Sequence, residues 1–307
     1  MIKLVLAASL ATSPALVQAA PPVPPAKVAV PFSPTRFSVV VEGQGPDVIL
    51  IPGLSSTRAV WARTAERLKR THRVHLVQIK GFGEAAGPNA SGPVLAPFVA
   101  ELADYLRSAK LDRPAIAGHS MGGLAALKLG IDAPELPGRI MVVDALPFIG
   151  PLFGSADVAA IAPRAEQMKA MLLGRAAAAL PDFAATVDCP ANLPAPPTPA
   201  GVMTNSAEGA CLMQAGARAS DLRVVGQAMA DDMTTDLRAS IAGIRAPVTL
   251  VYPQDDRLVS AEEAAKLYAT AYAANPRTRL VPVKGSFHFV MQDQPAAFAA
   301  ALDEFLR

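Results

Sequence analysis

The chain has 307 residues, of which 51% are apolar and 18% are charged, and its formal net charge is +2. This length suits one large α/β domain or two small ones, and the apolar fraction is ample for a core. No cluster of basic residues accompanies the small net charge, so a nucleic acid is not expected as a partner. Two cysteines and four scattered histidines show no metal-ligand spacing, and neither a metal nor a cofactor is predicted.

The first twenty residues have the pattern of a signal peptide. Lys3 supplies a positive charge, residues 4–17 are mostly apolar, and the small residues at 17–20 fit a cleavage site. The apolar stretch is too short to span a bilayer, and the proline-rich segment 21–34 predicts an extended linker. We therefore expect an exported protein, periplasmic or secreted, with no stable membrane insertion after signal removal. A permanent N-terminal anchor is the alternative.

Export changes the interpretation of the two cysteines. Cys189 and Cys211 are 22 positions apart in a stretch rich in proline and glycine. In an oxidising compartment a disulfide between them is the favoured hypothesis, and closing that loop would contribute roughly 3 kcal/mol to stability. Two buried free thiols are the alternative.

Strands and helices alternate along most of the chain. Apolar runs of strand length are predicted at 36–42, 48–51, 74–79, 115–117, 139–144, 248–252 and 278–283. Helical patterns fall at 59–70, 94–109, from 123 onward, at 261–273 and at 294–306. This alternation predicts an α/β protein with a mostly parallel sheet and helices on both faces, whose ligand chemistry belongs at the carboxyl ends of the strands.

The alternation stops between residues 147 and 235. This segment is rich in alanine, predicts short helices at 163–174 and 220–233, and holds six of the ten methionines: Met168, Met171, Met203, Met213, Met229 and Met233. Because it is inserted after a sheet strand, we expect a helical cap over the carboxyl edge, with 35–146 and 236–307 forming the core. The methionines would give the cap an adaptable apolar lining. For any single methionine, packing within the cap itself is an equal alternative.

The segment 113–128 has the pattern of a nucleophile elbow. A short apolar strand leads into Gly118-His119-Ser120-Met121-Gly122, and a helix begins at once, which is the strand-turn-helix context of a G-x-S-x-G motif. So tight a turn leaves no room for side chains two residues before and two after the serine, hence Gly118 and Gly122. Ser120 is therefore the predicted nucleophile.

A serine hydroxyl needs a base beside it at neutral pH. His119 is adjacent to Ser120, but neighbouring residues on so tight a turn point apart. His72 and His75 lie before and within a strand, away from the expected edge. His288 lies in a loop between the last strand and the last helix, where a late catalytic loop belongs, so it is the predicted base.

The acid that orients this histidine has three candidates at strand ends. Asp255 and Asp256 follow the strand at 248–252, and Asp144 ends the strand at 139–144. The residues alone leave the choice open.

These motifs together resemble the α/β-hydrolase superfamily, in its capped subgroup, from about Arg36 to Arg307. The chain order Ser, Asp, His is that of the family, and Gly81-Phe82-Gly83 resembles a loop common in its capped members. Asp256-Arg257-Leu258-Val259 resembles the D-R-I-V segment that carries the family's triad acid, which favours Asp256. Asp144 is the fallback, because some members carry the acid after the preceding strand.

The resemblance also implies an oxyanion hole and an activity. Ile51-Pro52-Gly53-Leu54 resembles the family's oxyanion loop, so the backbone N–H groups of Leu54 and Met121 would form the hole. The expected function is that of a serine hydrolase acting on a small, hydrophobic ester or related acyl compound through an acyl-enzyme. Cofactor-free haloperoxidases and C–C bond hydrolases share the same residue set and stay open as alternatives.

Two other classes of function fit the sequence less well. Gly81-x-Gly83-x-x-Ala86 formally fits a dinucleotide fingerprint, but that fingerprint must open a helix at once, and Gly87-Pro88 and Gly92-Pro93 keep the chain in a loop. An NAD(P)-dependent oxidoreductase is therefore disfavoured. A non-catalytic binding protein is disfavoured because all three members of the expected triad are present.

Overall fold

A computed structural model of the chain describes residues 32–176, 181, 189 and 203–307. The predicted signal peptide (1–20) and most of the predicted linker (21–34) lie outside these residues and stay predictions. Within the described part, seven strands form one sheet in the order β1-β3-β2-β4-β5-β6-β7. They are β1 (Phe37–Glu42), β2 (Asp47–Ile51), β3 (Arg73–Ile79), β4 (Ala115–His119), β5 (Arg139–Val143), β6 (Val248–Gln254) and β7 (Arg279–Lys284). Only β1 pairs antiparallel.

The helices of the described residues alternate with these strands. They are α1 (Ala62–Leu68), α2 (Leu95–Ser108), α3 (Met121–Asp132), α4 (Val158–Ala176), α5 (Ala207–Arg218), α6 (Leu222–Thr234), α7 (Ala261–Ala271), α8 (Val290–Asp293) and α9 (Pro295–Leu306). Short 3-10 turns occur at Arg58–Trp61, Gly87–Ala90, Gly150–Phe153 and Ser240–Gly243. None of the described helices is long and apolar enough to cross a membrane.

Successive residues of a strand point to opposite faces of the sheet. Because the inner strands are largely apolar runs, both faces of the sheet are apolar. In β2, Ile49 and Ile51 join a core that includes residues of α2, α3 and α7. Val48 and Leu50 join a second core with residues of α1 and α9. Continuous apolar strands thus require helices on both faces, as the sequence predicts.

Within its described residues, the insertion between β5 and β6 contains three helices, one more than predicted. The predicted helix at 163–174 begins earlier, at Val158, so that Pro163 lies inside α4, and the predicted helix at 220–233 is α6. The third, α5, is absent from the prediction, because Gly209 and Gly216 within it and the adjoining proline-rich stretch resemble a loop. Helices α4 and α6 bury a small core of their own: Phe148, Ile161, Ala165, Ala230 and Met233. The division into core and cap stays an interpretation.

The predicted disulfide is present. The Sγ atoms of Cys189 and Cys211 are 2.07 Å apart, and their Cα atoms are 5.8 Å apart. Cys211 lies on α5, so the disulfide ties Cys189 to that helix.

Candidate active site

Ser120 lies on the turn between β4 and α3. Its backbone has φ 54° and ψ −127°, a region that residues other than glycine rarely occupy. Two backbone hydrogen bonds hold the turn: Ser120 N–H donates to Val143 O at 2.9 Å, and Gly123 N–H donates to Ser120 O at 2.7 Å. The strained turn raises the serine above the end of the sheet.

Two glycines make this turn sterically feasible. A Cβ atom at Gly118 would lie 2.0 Å from Gly122 O, and a Cβ atom at Gly122 would lie 2.4 Å from Ile51 O. Both contacts are with backbone atoms, which no side-chain rearrangement relieves. The geometry therefore explains the glycines of the G-x-S-x-G motif as the sequence predicts.

His288 lies in the loop between β7 and α8 and is paired with Asp144. Its Nδ1 is 2.6 Å from Asp144 Oδ2, and both side chains are largely buried, with exposed fractions of 20% and 14%. The Tyr268 hydroxyl donates to the other carboxylate oxygen. Because a carboxylate accepts, the Nδ1 atom carries the hydrogen, and Nε2 of the neutral ring keeps its lone pair. The Nε2 atom of His288 makes no hydrogen bond with any described residue.

The pKa of Asp144 is lowered despite its burial. Burial, the largest influence, raises the pKa, but the charge and hydrogen bond of His288 and the hydrogen bond from Tyr268 together outweigh it. The carboxylate is therefore ionised at neutral pH. Asp144 has φ 47°, and its N–H donates to Val251 O at 2.9 Å, which fixes the chain at this point.

The sequence-based choice of Asp256 is corrected by this geometry. Asp256 is exposed beside Lys284, and the Asp255 carboxylate binds the Arg257 guanidinium at 2.8 and 2.7 Å. Neither is paired with His288. Val143 pairs with Val251 in the sheet, and β6 then continues to Gln254 while β5 ends. Because β6 is longer than β5, Asp255 and Asp256 lie beyond His288 along the strand direction. Asp144 follows directly after the end of β5, where His288 contacts it.

The two predicted oxyanion donors border Ser120. Leu54 follows β2 and lines the same cavity as the serine, and the approach is so close that a Cβ atom on Gly53 would lie 2.9 Å from Ser120 Cβ. Leu54 N–H has no acceptor among the described residues. Met121 is the first residue of α3, so its N–H is among those that the helix itself leaves unpaired.

His119 supports His288, a role that no motif in the sequence indicates. Its buried ring packs against the His288 ring at a centroid distance of 4.5 Å and a tilt of 48°, and its Nε2 donates to the His288 backbone carbonyl at 3.0 Å. Burial, helped by the nearby His288, lowers the pKa of His119 to about 3, so the ring is neutral. His119 thus holds the loop that carries His288.

A cavity of about 430 Å³ lies over these residues. Ser120, His288 and Leu54 contribute from the core, and the insertion contributes most of the apolar lining, including five of its six methionines: Met168, Met203, Met213, Met229 and Met233. Met171 instead is half exposed, at 51%. Asp232 of α6 also lines the cavity, and no motif in the sequence points to it.

Comparisons with known proteins agree with this geometry. The sequence profile of the alpha/beta hydrolase family matches residues 48–301. A pimeloyl-[acyl-carrier protein] methyl ester esterase of Vibrio campbellii is 26% identical over 263 residues, covering 86% of this chain and 95% of that protein.

Solved structures are similar over the same span. A thermophilic esterase from Thermogutta terrifontis superimposes with a TM-score of 0.66 at 19% identity, over 88% of this chain and 93% of that one. An enol-lactonase from Burkholderia xenovorans superimposes with a TM-score of 0.63 at 18% identity, over 88% and 95%. At such identities the likeness shows the fold, and the predicted fold is confirmed.

Proposed function

Since the chain belongs to the alpha/beta hydrolase family, we propose that it hydrolyses carboxylic esters through a covalent acyl-enzyme on Ser120. One observation carries the proposal: the Asp144–His288 pair lines the same pocket as a serine held on a nucleophile elbow. The nucleophile, a base beside it and a group that orients the base are what acyl transfer requires. The esterase of Vibrio campbellii, which aligns with this chain over most of its length, supports the same reaction class.

In the first half of the reaction, His288 Nε2 takes the proton of the Ser120 hydroxyl as the oxygen attacks the ester carbonyl. The Asp144 carboxylate stabilises the imidazolium that forms, without taking a proton itself. Collapse of the tetrahedral intermediate breaks the bond to the alcohol oxygen, which receives the proton from His288. In the second half, water loses a proton to His288 and attacks the acyl-enzyme. Collapse of the second tetrahedral intermediate releases the carboxylic acid, and the Ser120 oxygen takes the proton back from His288.

The negative charge of each tetrahedral intermediate needs donors fixed in advance. The N–H groups of Leu54 and Met121 border Ser120 from β2 and from α3, and the positive end of the α3 dipole adds to their field. Loss of one such donor typically costs about 3–4 kcal/mol of transition-state stabilisation.

The cavity supports a small and largely apolar substrate. Its volume of about 430 Å³ lies within the range of about 300–1,000 Å³ typical of small-molecule sites, and methionine side chains adapt to irregular apolar groups. The named relatives act on a methyl ester and an enol lactone, so esters of short alcohols and lactones are the substrates to test first.

The protein is proposed to work outside the cytoplasm, in the periplasm or beyond the cell. The signal-peptide pattern at 1–20 supports export, and the Cys189–Cys211 disulfide suits an oxidising compartment. N-terminal sequencing of the mature protein should find a start near residue 21. Recovery of the intact chain from the cytoplasm would contradict export.

The decisive variant is Ser120→Ala, assayed with p-nitrophenyl butyrate. We expect kcat to fall by about 10⁴-fold or more with an unchanged circular dichroism spectrum. Ser91→Ala, at an exposed loop, serves as the matched control. A fluorophosphonate probe should label the native protein and Ser91→Ala but not Ser120→Ala. Retained turnover in Ser120→Ala would reject the mechanism.

The alternatives on the same fold give different results in the same assays. A C–C bond hydrolase would cleave a β-diketone-type substrate faster than any ester, and a cofactor-free haloperoxidase would halogenate with peroxide and halide. The oxidoreductase is further weakened because no helix opens directly after Ala86; a 3-10 turn at Gly87–Ala90 precedes α2.

A further inference from the structure

Asp232 places a carboxyl group in a cavity that is otherwise apolar or neutral. It lines the main cavity with Ser120 and His288, and it also lines a smaller adjoining pocket that reaches Asp144 and Tyr268. Among the described residues that line the main cavity there is no lysine or arginine. Asp232 therefore lines the cavity from α6, with no lysine or arginine among these lining residues to neutralise its carboxylate.

The neighbouring Asp231 has a structural task that Asp232 lacks. One Asp231 carboxylate oxygen accepts from the N–H groups of Val94 and Leu95 at 2.6 and 3.0 Å and so caps α2, and the other accepts from Gln227 at 2.7 Å. Asp232 makes no hydrogen bond with any residue that the structure describes. Capping therefore explains the first aspartate of the pair but not the second.

The cavity makes the ionised form of Asp232 less favourable than that of an exposed carboxylate. Burial raises its pKa to about 7, the nearby Asp231 adds to the rise, and His288 opposes it. A positively charged ligand group would replace the hydration that the carboxylate has lost and would favour its ionised form. A ligand carboxylate or phosphate in the same place would meet a like charge.

We propose that Asp232 is a specificity residue that pairs with an alkylammonium group carried by the substrate. This inference rests on the proposed ester hydrolysis at Ser120. A quaternary alkylammonium suits the surroundings better than a guanidinium, because all of its hydrogens are bound to carbon and need no further hydrogen-bond acceptors. The apolar methionines Met229 and Met233, beside Asp232 on α6, and the ring of Phe289 can pack against its alkyl groups.

Two pairs of isosteric esters test the proposal, each differing by a quaternary nitrogen in place of a quaternary carbon. The first pair is 2-(trimethylammonio)ethyl butanoate and 3,3-dimethylbutyl butanoate, with the charge in the alcohol. The second is p-nitrophenyl 4-(trimethylammonio)butanoate and p-nitrophenyl 5,5-dimethylhexanoate, with the charge in the acyl group. At pH 8, where Asp232 is ionised, the native enzyme should prefer the ammonium member of at least one pair by about tenfold in kcat/KM.

Asp232→Asn should lower that preference to about one, because the amide keeps the shape but loses the charge. Asp231→Asn removes the same charge from the same helix and should lower Tm while it keeps the tenfold preference. No preference in either pair, or equal losses on both members in Asp232→Asn, would overturn the proposal. In the second case the residue would act through His288 instead.

A binding measurement tests the role of Asp232 independently of the proposed ester hydrolysis. Ser120→Ala, which cannot form an acyl-enzyme, should bind the ammonium ester more tightly than its carbon isostere by calorimetry, and the added Asp232→Asn should remove the difference. If the native protein hydrolyses no ester, the proposed function fails, while this binding difference still decides the role of Asp232.

Discussion

The imidazole of His288 and the carboxylate of Asp144 meet at 2.6 Å although 144 positions separate them in the chain. The first lies in the loop after β7 and the second at the end of β5, so the β6 strand separates their two strands in the sheet. β6 continues from Val251, the partner of Val143, to Gln254, so its own aspartates lie farther along.

The first prediction compares the two candidate acids. Asp144→Asn should lower kcat for p-nitrophenyl butyrate by about 10⁴-fold, because an amide no longer fixes the tautomer with Nδ1–H or stabilises the imidazolium. Asp256→Asn should change kcat by less than about twofold, since that side chain is exposed and His288 is paired with Asp144 instead.

Steady-state kinetics of both variants at pH 8 checks this prediction. Asp255→Asn is a further control, which loses the Arg257 ion pair. A large loss in Asp256→Asn together with a small loss in Asp144→Asn would mean that the enzyme works in a conformation other than this one.

A second prediction concerns Tyr268, which acts through Asp144. Tyr268→Phe removes the hydroxyl that donates to the carboxylate, and a hydrogen bond to a charged group is worth about 1.5–3 kcal/mol. We expect kcat/KM to fall about tenfold or more, with the pKa of Asp144 raised. The loss should therefore grow as the assay pH is lowered.

Tyr272→Phe is the matched control for this effect. Its buried hydroxyl donates to the Ala145 carbonyl at 2.8 Å instead of to the carboxylate. This variant should lose stability without a pH-dependent loss of kcat/KM. Parallel pH profiles for native enzyme and Tyr268→Phe would contradict a positioning role for Tyr268.

The elbow could be predicted from the sequence because its causes are local. The strand, the two glycines and the helix start lie within a few residues of Ser120, and each constrains the same turn. The alternation of strands and helices could be predicted for a similar reason, since apolar periodicity indicates how each segment is buried.

The acid could not be selected in this way because its choice depends on strand register. Asp144 and Asp256 each follow a strand, and only the pairing of Val143 with Val251 shows how far β6 runs past β5. Asp232 and the packing of His119 on His288 depend on how the insertion and the β7–α8 loop fold over the sheet, which no short sequence pattern determines.

A third prediction concerns stability in acid. The pKa of His119 is near 3 in the native state and 6.5 ordinarily, so below pH 6.5 the unfolded chain binds a proton that the native state does not. The free energy of unfolding should therefore fall as the pH is lowered from 6.5 towards 3, by up to about 1.4 kcal/mol per pH unit. His75, whose pKa burial also lowers, contributes in the same direction.

His119→Gln should make this dependence shallower. Glutamine keeps a side-chain N–H for the His288 carbonyl but does not titrate. Urea unfolding at pH 7, 6, 5 and 4 would measure the slope for both proteins. Identical slopes would show that His119 does not contribute to acid unfolding.

The last prediction concerns the Cys189–Cys211 disulfide, which closes a loop with a sequence separation of 22. Removing it restores chain entropy to the unfolded state, so the double variant Cys189→Ser/Cys211→Ser should lose roughly 3 kcal/mol of unfolding free energy. Because α5 carries both Cys211 and the cavity residue Met213, KM for p-nitrophenyl butyrate should rise as well. Reductant should lower the Tm of the native protein but leave that of the double variant unchanged. Equal Tm values for native protein and double variant would mean that packing alone holds this part of the insertion in place.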